Sequence, residues 1–212
     1  MKTLQVQNLL YYNSDGSRLI SNFSLEVNTG DNILLQGSTA QCKVFIELLA
    51  GLRSPNRGQI VVCGSNISKL TKTERAVFQC QHIGVAFSDK CFFSELTIME
   101  NLCLPHIVSG ASYREAEKHI IKIATPIITA ETLYRKPQHL SPLQCASASF
   151  VRAISCEPEL LVLGDLFSAL TPNDRNEMWD IIIRLRPKNA ALLFLDSRCI
   201  LNQIMWKETM IL

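Results

Sequence analysis

Two stretches near the start of the chain alternate apolar and polar residues, 4–9 (Leu-Gln-Val-Gln-Asn-Leu) and 19–27, as half-buried strands do. The turn-forming run Asn13-Ser-Asp-Gly-Ser17 separates them, and Asn28-Thr-Gly-Asp31 follows the second. A continuous apolar run comes next, Ile33-Leu34-Leu35, then a polar loop, then residues 45–52, which read as a helix. Arg53-Ser-Pro-Asn-Arg-Gly58 is a further turn and 59–63 a short strand. The first part of the chain is therefore expected to be a strand-rich layer around one strand-loop-helix unit.

Helical spacing dominates the middle section. Thr71, three residues before Glu74, predicts a capped helix start, and 82–87 reads as a buried strand. From residue 96 to about 124 the pattern is helical, interrupted near Ser109-Gly-Ala and stopped by Pro126. Residues 137–142 form a second break, and 144–154 is another helix. Residues 159–163 and 190–195 are apolar runs of the kind buried on both faces of a parallel sheet, with an amphipathic helix over 176–186 between them. Strands alternating with helices imply an α/β core. With no repeat or linker in view, the pattern predicts a single domain over 1–212 with a helical lobe inserted at about 89–155.

Composition narrows the function classes. At 212 residues, 47% hydrophobic and 19% charged, the chain can bury a full core and does not belong to the disordered class. A net charge of +2, with no basic cluster interleaved with aromatics, argues against a nucleic-acid partner. The first residues carry no signal-peptide apolar region, and no run approaches the roughly 18 apolar residues that span a bilayer. Work at a membrane would require another protein to hold the chain there. The eight cysteines, at 42, 63, 80, 91, 103, 145, 156 and 199, make no C-x-x-C pair and no zinc-finger spacing. Such scattering fits a reducing, cytoplasmic compartment in which most are small buried apolar residues.

The candidate chemistry lies in the loop Gly37-Ser-Thr-Ala-Gln-Cys-Lys-Val44, between an expected strand and an expected helix. A phosphate-binding loop reads G-x-x-x-x-G-K-[ST] in that setting. Gly37 and Lys43 have the required spacing, but Cys42 stands at the second glycine and Val44 at the Ser or Thr. Cys42 adds a Cβ and a sulfur where backbone must approach phosphate, and Val44 cannot ligate a hard cation.

Longer phrases carry a resemblance. They are Leu49-Ala-Gly-Leu-Arg-Ser-Pro-Asn-Arg-Gly-Gln-Ile, Ser68-Lys-Leu-Thr-Lys-Thr-Glu-Arg-Ala and Phe93-Ser-Glu-Leu-Thr-Ile-Met-Glu-Asn-Leu-Cys-Leu-Pro105. Lys136-Pro-Gln-His-Leu-Ser-Pro-Leu-Gln and Ser168-Ala-Leu-Thr-Pro172 follow in the same order. The whole chain resembles an ABC-transporter nucleotide-binding domain, most of all the lipoprotein-releasing group of LolD, MacB and FtsE. That resemblance implies a P-loop NTPase-type α/β fold with an antiparallel β subdomain and an inserted helical lobe.

It also implies roles, most of which meet an altered residue. Gly37, Ser38, Cys42, Lys43 and Val44 become a phosphate-loop remnant, in which Lys43 would contact the β- and γ-phosphates. Ser88 stands for the Q-loop glutamine. The signature is Leu140-Ser-Pro-Leu-Gln144, where Ser141 keeps a donor, Pro142 has no N–H and Leu143 adds bulk. Gly164 stands for the Walker B aspartate, Asp165 for the catalytic glutamate, Thr171 for the D-loop aspartate and Asp196 for the switch histidine. The adenine-stacking position aligns with Asn13, with Tyr12 one place away as a candidate to stack.

The expectation is a degenerate, pseudo-ATPase nucleotide-binding subunit with no metal site and no assured cofactor, ATP remaining a candidate ligand without magnesium-dependent hydrolysis. Its expected partners are an integral-membrane permease of lipoprotein-release or cell-envelope type and a second nucleotide-binding domain, as a homo- or heterodimer. It would lie on the cytoplasmic, inner face of the cell membrane, with Phe92, Phe93 and Leu96 as candidates for the groove that receives a permease helix. Two alternatives stand beside it: a slow but genuine ATP-hydrolysing subunit, and a nucleotide-free scaffold regulating an envelope complex.

Overall fold

The computed structural model describes residues 1–87, 92–197 and 208–212. Strands β1 (Lys2–Tyr12) and β2 (Arg18–Asn28) pair antiparallel across the 13–17 turn, with Leu4 opposite Val27 and Val6 opposite Leu25. The alternation seen in the sequence puts Leu4, Val6, Leu9, Leu25 and Val27 on one buried face. Strand β3 (Asn32–Gln36) then leaves this sheet, and helix α1 (Thr39–Leu49) follows it. Strand β4 (Arg57–Val62) returns to the free edge of β1 and pairs with the two-residue β5 (Ser65–Asn66), giving the order β2-β1-β4-β5.

Helix α2 (Lys72–His82) opens on the Thr71–Glu74 capping box and runs straight into β6 (Ile83–Phe87). Four helices come next: α3 (Ile98–Val108), α4 (Tyr113–Ala124), α5 (Ala130–Leu133) and α6 (Pro142–Ile154). The chain then lays down β7 (Leu160–Gly164), α7 (Pro172–Leu185), β8 (Ala191–Asp196) and β9 (Glu208–Ile211). The second sheet is parallel, in the order β6-β7-β8-β3-β9.

β3, the strand of the expected strand-loop-helix unit, lies in the parallel sheet and not in the antiparallel layer around it. Ile33, Leu34 and Leu35 are each at most 1% exposed, and an all-apolar strand must be covered on both faces. β8 and β9 flank its edges, while Ile33 and Leu35 enter the cluster around α1 and Leu34 the one on the opposite face.

Three apolar clusters hold the molecule together. The first lies between the two sheets around α1, with Phe45 packed edge-on against Phe23, 5.6 Å between ring centroids. The second covers the other face of the parallel sheet with α6 and α7. The third lies among α3, α4, α5 and α6. Helix α6 is shared, since Phe150 and Ala153 enter the second cluster while Ala148 and Val151 enter the third. Its contact with β6 is so close that a Cβ on Gly84 would come within 2.1 Å of the Ala153 carbonyl oxygen. No helix among the described residues is long and apolar enough to cross a membrane.

Candidate functional site

Helix α1 begins at Thr39, only two residues after Gly37. Ser38 is its N-cap, and a capping box closes the end. The Gln41 amide donates to the Ser38 hydroxyl at 3.2 Å, and the Ser38 amide donates to the Gln41 side-chain oxygen at 2.8 Å. The Cys42 amide donates to the Ser38 carbonyl at 2.9 Å as an ordinary helical bond. The Gln41 side-chain NH₂ group then donates to the Leu19 carbonyl at 3.0 Å and the Leu212 carbonyl at 2.8 Å. A phosphate loop works by aiming free backbone N–H groups at the ligand. Here the backbone between Gly37 and Lys43 is wound into a helical turn, and the amides of Ser38, Gln41 and Cys42 have partners within the protein.

The side chains follow from that winding. Cys42 and Val44 point inward and are 2% and 6% exposed, packed in the cluster around α1. Lys43 points outward. It lines a cavity of about 700 Å³ together with Thr39, Ile46, Phe87, Gly164 and Asp165. The floor of that cavity is apolar where the resemblance requires a metal-organising carboxylate. A Cβ on Gly164 would lie 2.6 Å from Ile46 Cδ1 and 2.9 Å from Phe87 Cε1.

Asp165, next to Gly164, has a left-handed backbone (φ 48°), which an aspartate adopts more readily than most residues. Its carboxylate accepts from the Ser197 hydroxyl at 2.9 and 3.0 Å and from the Ser197 amide at 3.2 Å. The Thr39 hydroxyl reaches Ser197 at 3.3 Å, so Thr39, Ser197 and Asp165 form one polar chain at the head of α1. Asp196 ends β8 opposite Gln36 and is 3% exposed. Both carboxylates act on Cys42. Burial first, then Asp165, then Asp196, pushes its thiol up to about 12. The cavity beside Lys43 is lined by groups of both signs, Asp165 and Glu47 with Lys43 and Arg152.

The remaining candidate residues are spread across the molecule. Ser141 is the N-cap of α6, with Pro142 at the first helical position, and it repeats the device at α1. The Gln144 amide donates to the Ser141 hydroxyl at 3.2 Å, and the Ser141 amide donates to the Gln144 side-chain oxygen at 2.9 Å. Thr171 is likewise the N-cap of α7, boxed with Asp174. Tyr12 ends β1 opposite Arg18, is 41% exposed, and is not among the residues lining the Lys43 cavity. Ser88 lies outside the described residues. The structure thus gathers Lys43, Cys42, Asp165 and Asp196 around the head of α1, and adds Gln41, Thr39 and Ser197, which the sequence reading did not single out.

The family model described as ABC transporter matches residues 20–167. The lipoprotein-releasing system ATP-binding protein LolD of Bacteroides fragilis is 24% identical over 170 residues, covering 80% of this chain and 79% of the relative. The uncharacterised ABC transporter ATP-binding protein YvcR of Bacillus subtilis is 26% identical over 201 residues, covering 92% of this chain and 78% of the relative. Among solved structures, the dimeric post-hydrolysis state of the ATP-binding cassette MJ0796, bound to ADP and phosphate, superposes with a TM-score of 0.78. The identity there is 17%, over 93% of this chain and 88% of the other. A nucleotide-free ATP-binding cassette from an ABC transporter gives 0.75 at 19% identity, over 93% and 82%.

Proposed function

This chain belongs to the ABC transporter family, and from that premise we propose that it is a nucleotide-binding-type subunit docked to an integral-membrane permease and unable to hydrolyse ATP. One observation carries the loss of hydrolysis: the backbone between Gly37 and Lys43 is a capped helical turn in which the amides of Ser38, Gln41 and Cys42 bond within the protein. Magnesium triphosphate does not fit the residues present. Val44 is buried and has no hydroxyl, and Ile46 and Phe87 occupy the space beside Gly164. Preorganised charge stabilisation is worth roughly 3–4 kcal/mol per group in well-studied sites, and this one has lost several.

The LolD relatives favour a permease of the lipoprotein-release or cell-envelope type, which would place the chain on the cytoplasmic face of that membrane. The dimeric cassette supports pairing with a second such domain, either another copy or a competent partner. In either pairing the partner's nucleotide would face Leu140-Ser-Pro-Leu-Gln144, where Pro142 offers no N–H and the Ser141 amide is already bonded to Gln144. Both composite sites would be weakened, and coupling to ATP would be weak or lost.

Phosphate release from the purified chain with ATP and magnesium should not exceed a protein-free blank. Turnover above it that Lys43→Ala abolishes would overturn the reading. A slow hydrolysing subunit is favoured by a single observation, that Lys43 and Asp165 line the same cavity. Calorimetric titration with nucleotide, with and without magnesium, separates the two: only the hydrolysing subunit requires magnesium-enhanced binding.

A further inference from the structure

Cys63, His82 and Glu159 come from three separate parts of the fold, yet their ligand atoms all lie within 4.8 Å of one another. Cys63 is in the two-residue turn between β4 and β5, where Val62 pairs with Ser65. His82 is the last residue of α2, and Glu159 immediately precedes β7. We propose that these three side chains form a binding site for a zinc-class divalent cation, separate from the phosphate loop, that ties the β4–β5 hairpin to the α2–β6 junction and the entry to β7.

The geometry is close to what such an ion needs. Zinc bonds of about 2.0–2.3 Å at tetrahedral angles separate ligand atoms by about 3.3–3.8 Å. His82 Nδ1 and Glu159 Oε2 are 3.0 Å apart, so a small opening admits the ion between them. The His82 ring is held by Phe78, 4.4 Å between centroids, which limits its rotation. Cys63 is held at its backbone, where its amide donates to the Thr3 carbonyl at 2.9 Å.

Cys63 also occupies a costly place. It has φ 47° and Gly64 has φ 79°, the pattern of a hairpin turn that favours Asn-Gly. A cysteine in the left-handed region costs backbone energy that an asparagine or glycine largely avoids. The side chain is partly buried, with one flank against the cluster around α1.

Ligand chemistry selects the ion. A thiolate with an imidazole and a single carboxylate favours zinc and disfavours magnesium or calcium, which take oxygen ligands. Binding would release the Cys63 thiol proton to solvent and engage His82 through Nδ1. With the dication, the thiolate and the Glu159 carboxylate in place, the cluster is neutral. Three protein ligands leave a fourth position, open to water or a partner's side chain, on the side where Glu159 is half exposed.

Cobalt(II) titration of the reduced full chain tests this. One equivalent should give a thiolate-to-cobalt charge-transfer band in the near ultraviolet, removed by adding zinc. Cys63→Asn suits the turn and so preserves the fold. It should abolish the band and weaken zinc binding at least tenfold, the lower bound seen even for loss of an outer-shell partner. His82→Gln and Glu159→Gln should each weaken zinc at least tenfold while keeping the circular dichroism of the parent. No band in the parent, a band that persists in Cys63→Asn, or an effect below tenfold would overturn the site and assign any binding to the other thiols.

Discussion

Cys42 is the residue at which the sequence and the structure bear on each other most directly. In the sequence it is a misplaced side chain in a phosphate loop; in the fold it is a core residue, 2% exposed, beside two carboxylates. Its thiol is raised from 9.0 to about 12, and burial with Glu117 and Glu100 raises Cys103 to about 11. The folded chain thus keeps thiol protons that the unfolded chain releases above about pH 9, so stability is whole below that pH and falls above it. Burial also raises Cys63 to about 11. The loss approaches about 1.4 kcal/mol per pH unit for each thiol, so urea denaturation should show about 4 kcal/mol lost at pH 10 relative to pH 8. Cys42→Ala and Cys103→Ala should each flatten that fall by about a third. Lys43, Asp165 and Asp196 were legible as residues near the head of α1 because the resemblance supplied their positions. Ser197 was not. Asp196 is still paired in the sheet and turns its side chain inward, so the next residue is the one that reaches Asp165.

Helix starts were the least legible elements, and the reason is capping chemistry. Apolar periodicity places the first helix at residue 45, but the hydrogen-bonded helix begins at Thr39. The signal was present, since Ser38 three residues before Gln41 is the same box pattern as Thr71 before Glu74, which did predict α2 correctly. Pro142 and Pro172 misled in another way. Read as breaks, or passed over, they are first-turn prolines, where a missing N–H costs nothing. The two Ser-x-x-Gln boxes should contribute unequally. Gln144→Ala removes one box and a single long donation, 3.3 Å, to the Thr132 hydroxyl, and should cost about 1 kcal/mol in urea denaturation. Gln41→Ala also leaves the Leu19 and Leu212 carbonyls without their side-chain donor and should cost about 2 kcal/mol.

At the scale of the whole molecule, the order of strands and helices was largely legible, because apolar runs of different length separate the half-buried antiparallel sheet from the fully buried parallel one. β3 was legible as the strand of a strand-loop-helix unit, but its pairing with β8 and β9 was not. One surface suits the proposed permease contact. Phe93 is 64% exposed, and buried Asn101 holds the loop beneath it by accepting from the Phe93 amide and donating to the Phe93, Leu96 and Thr97 carbonyls. Phe93→Asp should abolish co-purification with the permease and leave the thermal midpoint within about 1–2 °C of the parent, as for a surface substitution. Helix α6 sets a different limit. Its two faces belong to two clusters and its Ala153 carbonyl abuts Gly84, which packs the helices and the parallel sheet onto one shared element. Native-state hydrogen exchange should find the amides of α6, β6 and β7 opening together as one foldon, and Gly84→Ala should lower that shared opening energy by about 3 kcal/mol. Under the proposed function, a permease that pulls on the loop before α3 would load the sheet through α6, making this subunit a stiff anchor that bears force without a nucleotide cycle.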